Sequence, residues 1–140
     1  MKIKNASVGF LMVLLLVSGC QSSEQELLKT DKGQVEIRRM QTRAYDTTDR
    51  EKTLRTVIAT LQDLGFVVDK ADATLGSVTA TKLKGYNLIM TVTVRPRNEK
   101  QLLVRASAQF NIQAVSDPQP YQDFFTSFSK AIFLEAHQVD

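Results

Sequence analysis

"QLLVRASAQFNIQ", residues 101–113, deals two classes of side chain in alternation. Leu102, Val104, Ala106, Ala108, Phe110 and Ile112 take one set of positions; Leu103, Arg105, Ser107, Gln109, Asn111 and Gln113 take the other. Successive side chains of an extended chain point to opposite faces, so a period of two sends the first set into a core and the second toward solvent. A half-buried antiparallel strand requires such a division. Upstream, Leu88, Met90, Val92 and Val94 alternate with Ile89, Thr91, Thr93 and Arg95, and "RPRNEK" (95–100) supplies the turn between the two strands. Ser77–Lys82 reads as a third strand, with Val78 and Ala80 on a shared face and Lys84–Gly85 marking a tight turn after it. Phe66–Asp69 reads as a short fourth, set apart by "DATLG" (72–76).

Two segments carry the helical period instead. In "TTDREKTLRTVIATLQDLGF" (47–66), Leu54, Val57, Ile58, Leu61 and Leu64 form one apolar stripe. Thr48 and Glu51 have capping-box spacing, and Gly65 suits a left-handed cap because it has no Cβ, so the spacing predicts a helix over 49–64. In "SDPQPYQDFFTSFSKAIFLEAHQVD" (116–140), Asp117 is a candidate cap and Pro118 fits the first helical position. Tyr121, Phe124, Phe125, Phe128, Ala131 and Ile132 form the buried side, with Phe133 at its edge. Val35–Ala44 reads as a first strand, in which Val35 and Ile37 alternate. Met40 falls out of phase, so the strand bulges there or turns Met40 to the other face.

The resulting order is β-α-β-β-β-β-α. The expected fold is α+β: a twisted antiparallel sheet of about five strands, with two helices packed on one face and the other face wet. A long last helix across a curved sheet resembles helix-grip arrangements, an analogy of fold that licenses no activity.

The first third of the chain is different. Lys2 and Lys4 precede an apolar run, Ala6–Val17, too short for an ordinary membrane span. Then come Val17, Ser18, Gly19 and Cys20, the last being the only cysteine in the chain. With no second cysteine it closes no intramolecular disulfide. These four residues resemble the lipobox of bacterial lipoprotein precursors, with Val17 in place of the usual leucine. The resemblance implies removal of residues 1–19 as a signal peptide and acylation of Cys20. Several acyl chains on one residue make attachment effectively permanent, since each buried methylene contributes about 0.8 kcal/mol. By the same resemblance Gln21, rather than aspartate, implies the outer membrane on its periplasmic face. Residues 20–33 then read as a lipidated N-terminus and flexible tether, within which a short helical turn near Leu27 remains open, and residues 34–140 as a single periplasmic domain. Loss of Lys2 and Lys4 lowers the side-chain charge from +3 to +1. A balanced surface gives no general drive toward nucleic acid.

Catalytic constellations are hard to assemble from this composition. The only histidine, His137, falls near the end of the chain, and no cofactor or metal motif is recognisable. "DKADATLG" (69–76) has too few oxygen ligands at calcium-loop spacing, and the isolated glycines form no phosphate loop. Asp46, Asp49, Asp63, Asp69 and Asp72 show no paired spacing for glycosidase chemistry; helix capping accounts for Asp46 and Asp49, while Asp63, unfavourable in a last turn, invites a basic partner. The candidate partner-binding residues are Arg38, Arg39, Gln41 and Arg43, with Arg95 and Arg97 in the later turn. Guanidinium groups there can engage an acidic partner, a peptidoglycan carboxylate or a lipid phosphate; the competing reading is a solvated face crossed by weak ion pairs. "RRMQTRAYDTTD" (38–49) and "LQDLGFVVDKADATLGSVTATK" (61–82) resemble a family of small, uncharacterised Gram-negative envelope lipoproteins, and no catalytic assignment comes with that likeness. The expected role is a non-enzymatic envelope lipoprotein that binds another envelope component, most simply a protein. Lipid or small-ligand binding beneath the phenylalanine-rich helix is the first alternative, hydrolysis of an envelope polymer the second.

Overall fold

The computed structural model describes residues 33–83 and 87–137. The chain divides into two units, Met1–Glu36 and Ile37–Asp140. Of the first, only the helical residues 33–36 are described; Cys20, the expected signal peptide and most of the expected tether lie outside the described residues, as does the Lys84–Gly85 turn.

Residues 33–41 are helical (α1) and the strand that follows is only Thr42–Tyr45 (β1), where a strand over Val35–Ala44 was expected. The out-of-phase Met40 was the sign of this. Ile37, Met40 and Gln41 are the more buried positions, and Arg38 and Arg39 between them are exposed. That is a spacing of three and four, carried by Glu, Arg, Met and Gln, all good helix formers.

Helix α2, Arg50–Asp63, follows its forecast within a residue. Its cap is Asp49 rather than Thr48: the Asp49 carboxylate accepts from the Lys52 N–H at 2.9 Å, and Thr47 Oγ1 accepts from the Asp49 N–H at 3.2 Å. At the other end Gly65 has φ +85°. Its N–H donates to Gln62 O and the Phe66 N–H to Leu61 O, both at 2.9 Å, the paired bonds of a Schellman stop. Beside the apolar stripe, Thr53, Thr56 and Thr60 are also buried. Their hydroxyls donate to the carbonyls of Asp49, Lys52 and Thr56 at 2.7–3.0 Å, so burial leaves no hydroxyl unpaired.

Strands β2 (Val67–Asp72), β3 (Ser77–Lys82), β4 (Leu88–Pro96) and β5 (Leu102–Phe110) pair as an antiparallel meander, and β1 returns to pair with β5. The order across the sheet is β1-β5-β4-β3-β2. The long alternation at 101–113 ends sooner than expected. Asn111, at φ +54°, begins a two-residue turn, and Gln113–Ala114 (β6) fold back onto Gln109 and Phe110. Ile112, expected on the core side, is therefore at the turn tip and 96% exposed.

Helix α3, Gln119–His137, packs on α2 and β5. The Asp117 carboxylate accepts from the Gln119 N–H at 2.9 Å. Tyr121, Phe124, Phe125 and Phe128 are fully buried, with Leu61, Val57 and the inward residues of β3, β4 and β5. Phe124 stacks on Phe128, and Tyr45 from β1 meets Phe128 edge-on at 5.0 Å. The protein is thus an α+β fold in which helices and aromatic side chains fill one face of an antiparallel sheet.

Arg50, the first residue of α2, ties the far end of the meander. Its Nη2 donates to Thr74 O at 3.0 Å, within the β2–β3 turn. Gly76, buried at φ +67°, closes that turn. A Cβ there would run into the Arg50 guanidinium and come within 2.5 Å of Val94 O.

Candidate functional site

Register determines what the uncovered face of the sheet presents, because residues paired across antiparallel strands share a face. One row runs Lys70, Thr79, Thr91, Ser107; the next runs Asp72, Ser77, Thr93, Arg105, Thr42. Thr79 and Thr91 share a hydrogen bond at 3.1 Å, and the Ser107 hydroxyl donates to Thr91 O at 3.3 Å. On a third row, Val67, Thr81, Ile89 and Gln109, the Thr81 hydroxyl donates to Asp69 at 2.6 Å. The threonines are half-buried by their neighbours. Their methyl groups suit a pleated surface and their hydroxyls remain available to a partner.

Three cations stand on this face: Lys70 on β2, and Arg95 and Arg105 on β4 and β5. Arg105 pairs with Thr93 and Arg95 with Leu103, so the two arginines are diagonal neighbours on adjacent strands, about 7–8 Å apart at their backbones. Both are exposed. Arg105 Nη2 donates to Gln41 Oε1 at 3.4 Å.

The arginines singled out from the sequence do not share one surface. Arg38 and Arg39 are exposed on α1. Arg43 pairs with Val104 and so faces the helix side, its guanidinium 4.8 Å from the ring centre of buried Phe125. Arg97 belongs to the β4–β5 turn and donates to Gln101 Oε1 at 3.3 Å. Of the six residues, strand register places Arg95 on the open face, beside Arg105, which sequence reasoning left among solvent positions. The alternation of β4 and β5 assigned both to the polar side; their adjacency needed the register.

Gln41 is not a surface group. It is 7% exposed, and its Nε2 donates to the Tyr121 hydroxyl at 3.2 Å. That hydroxyl also accepts from the Ala108 N–H at 3.3 Å and donates to Val115 O at 2.7 Å. It occupies the stretch of the β5 edge that β1 leaves at Arg105 and β6 takes up at Gln109. The signal was a lone tyrosine among buried phenylalanines, since a buried phenol needs hydrogen-bond partners.

The acidic residues have structural partners. Asp46 accepts from Gln101 Nε2, Asp49 caps α2, Asp69 accepts from Thr81 and Asp72 accepts from the Leu75 N–H. Asp63 is exposed, and no basic residue lies in its turn of helix. Among the described residues no group of three or more His, Cys, Asp or Glu side chains could hold a metal ion, and no helix is long and apolar enough to cross a membrane. A small recess of about 170 Å³ lies where α3 begins, lined by Leu64, Phe66, Lys82, Leu88 and the first turn of α3. Burial pushes the Tyr45 phenol above the ordinary 10.0, while its bond to Ser129 and the charge of Arg43 pull the other way.

Neither a protein-family model nor a curated protein matches this chain.

Proposed function

We propose that the protein is a non-enzymatic outer-membrane lipoprotein, anchored through acyl chains on Cys20 at the periplasmic face, whose domain binds another envelope protein. Its role is accessory, in envelope assembly, transport or maintenance. The contact surface is the open face of the sheet around Arg95 and Arg105. The observation that carries this reading is the contrast between the two faces: aromatic side chains fill one, while the other presents hydroxyl rows with Lys70, Arg95 and Arg105, and only Ile89 and Leu103 as half-buried apolar residues among them. The partner that fits is polar and carries carboxylates, which guanidinium groups engage with two parallel hydrogen bonds. The filled space beneath α3 speaks against carriage of a lipid there. The 170 Å³ recess beside it falls below the usual size of a small-molecule site, roughly 300–1,000 Å³.

Photocrosslinking in cells tests the proposal, with the probe at Thr93 on the open face and, as a control, at exposed Gln62 on α2. A protein adduct from Thr93 that disappears in Arg95→Glu/Arg105→Glu is expected. Adducts with lipid or peptidoglycan alone, or equal yields from both probes, reject it. Labelled palmitate that enters the protein but not Cys20→Ala tests the anchor separately.

A further inference from the structure

At one end of the sheet β2 and β4 begin while β3 and β5 finish. Pairing places Val67 beside Thr81, Lys82 beside Leu88, and Leu88 beside Phe110. The exposed apolar side chains of this end are Val67 at 62%, Leu83 at 68%, Phe110 at 38% and Ile112 at 96%. Ile112 stands at the tip of the β5–β6 turn, the most exposed large hydrophobic side chain described. A turn normally carries polar residues there, because nothing in the fold repays an apolar one.

We infer that this end of the domain rests on a lipid surface, with Ile112 and Leu83 immersed among headgroups and upper acyl chains. The inference rests on the proposed attachment through Cys20. From Cys20 to Gly33 the chain can span up to roughly 40 Å, against about 30 Å for a nine-residue strand such as β4 or β5. Either end of the sheet can therefore reach the membrane, and the choice falls to Ile112, 96% exposed against 63% for Leu75, 62% for Phe133 and 53% for Leu134 away from this end. Valine, leucine, isoleucine and phenylalanine suit a fluid apolar phase. Protein hot spots instead favour tryptophan, tyrosine and arginine, with leucine and valine under-represented.

Depth is limited, because the backbone groups of the Asn111–Ile112 turn need hydrogen-bond partners that hydrocarbon lacks. Immersion therefore stops about 5–10 Å into the interface. The neighbouring charges are mixed: Lys82 lies over the Phe66 ring, while Asp69 and Asp117 are exposed. Contact is thus driven by apolar side chains and survives added salt. A domain standing on this end holds its strands upright and turns the open sheet face sideways, toward a partner on the same membrane.

The chain contains no tryptophan, so single substitutions give clean probes. The full chain carrying Ile112→Trp, Leu83→Trp or, in the turn at the opposite end, Leu75→Trp is reconstituted in phosphatidylethanolamine–phosphatidylglycerol vesicles, with or without brominated acyl chains. The first two are expected to shift emission to the blue and to be quenched by bromine, equally at low and high salt, and Leu75→Trp to do neither. A blue shift without bromine quenching points to a second copy or a protein surface and overturns the inference, as does quenching equal to that of Leu75→Trp. Unchanged urea midpoints establish that each variant is folded. The mass of the chain reports acylation independently. Quenching without acylation removes the anchor and keeps the lipid contact, and acylation without quenching does the reverse.

Discussion

Tyr121→Phe removes one oxygen atom and leaves the aromatic packing in place, so it isolates the hydrogen bonds of the β5 edge. Tyr121 is fully buried, and Ala108 and Gln41 are 4% and 7% exposed. Without the hydroxyl, the Ala108 N–H and the Gln41 carboxamide lose an acceptor, and Val115 O loses its donor at 2.7 Å. A buried polar group left unsatisfied costs about 1–3 kcal/mol. Two of the three are out of reach of water; half-buried Val115 can be rehydrated, and Gln41 keeps its contact with Arg105. The expected loss is therefore about 2–4 kcal/mol, well above the 0.5–1.5 kcal/mol net value of an ordinary hydrogen bond. Urea unfolding reads it as a lower midpoint at constant slope, because the area exposed on unfolding is unchanged. Gln41→Met in the same background should cost less than in wild type, since its main partner has gone. A loss below about 1 kcal/mol, or strict additivity of the two substitutions, would show that water replaces the phenol and that the edge is not held as argued.

Gly76 and Gly65 both have positive φ, but only Gly76 is crowded. Gly65→Ala, whose Cβ would meet nothing nearer than Lys82 Cε at 3.8 Å, should lose about 1–2 kcal/mol from backbone strain alone, and Gly76→Ala distinctly more, read as a difference in thermal midpoint. Asp49→Ala should cost about 1 kcal/mol and Thr48→Ala close to nothing, because Asp49 makes the cap; equal losses would return the cap to Thr48. Tyr45 gives a pH signature. Its folded pKa lies above the unfolded value near 10.0, so its contribution is complete below that pH and is lost as pH rises through the folded pKa. Tyr45→Phe should flatten the alkaline fall in stability and remove a late step from the tyrosinate absorbance titration.

Leu88–Val94 and Leu102–Ala108 were legible because each strand separates a buried face from a wet one, and side-chain period alone fixes their orientation. The same rule overran at Phe110–Ile112. An alternating pattern persists through a two-residue turn, and the counter-signal was a single Asn at a position tolerant of positive φ. It failed again before β1, where Val35 and Ile37 satisfy a period of two, while Ile37, Met40 and Gln41 satisfy the helical one. The helices were read from spacing, but choosing Asp49 over Thr48 as cap required geometry, since both residue types cap well. The arginine group was the least legible element. Arg38, Arg39 and Arg43 are close in sequence, yet the first two are exposed on helix α1 while Arg43 lies on strand β1 against Phe125. Arg95 and Arg105 are ten positions apart and become neighbours only through the β4–β5 register.

The composition of the open face constrains what can cover it. A partner presenting a flat apolar surface would strip water from the hydroxyls of Thr79, Thr91, Thr93 and Ser107 and from the guanidinium groups of Arg95 and Arg105. Each hydroxyl buried without a new bond costs about 1–3 kcal/mol on the scale of mutational data, and an unpaired guanidinium costs more. Burying the threonine methyl groups together with the exposed parts of Ile89 and Leu103 offsets part of that, at about 25 cal/mol per Å². Thr79 and Thr91 reduce the penalty by bonding to each other, but Thr93 and the two arginines still require polar atoms from outside. The penalty is thus local to Thr93, Arg95 and Arg105, and the proposed partner would offset it by supplying carboxylates or carbonyls there, while half-buried Ile89 and Leu103 on the same face tolerate apolar contact.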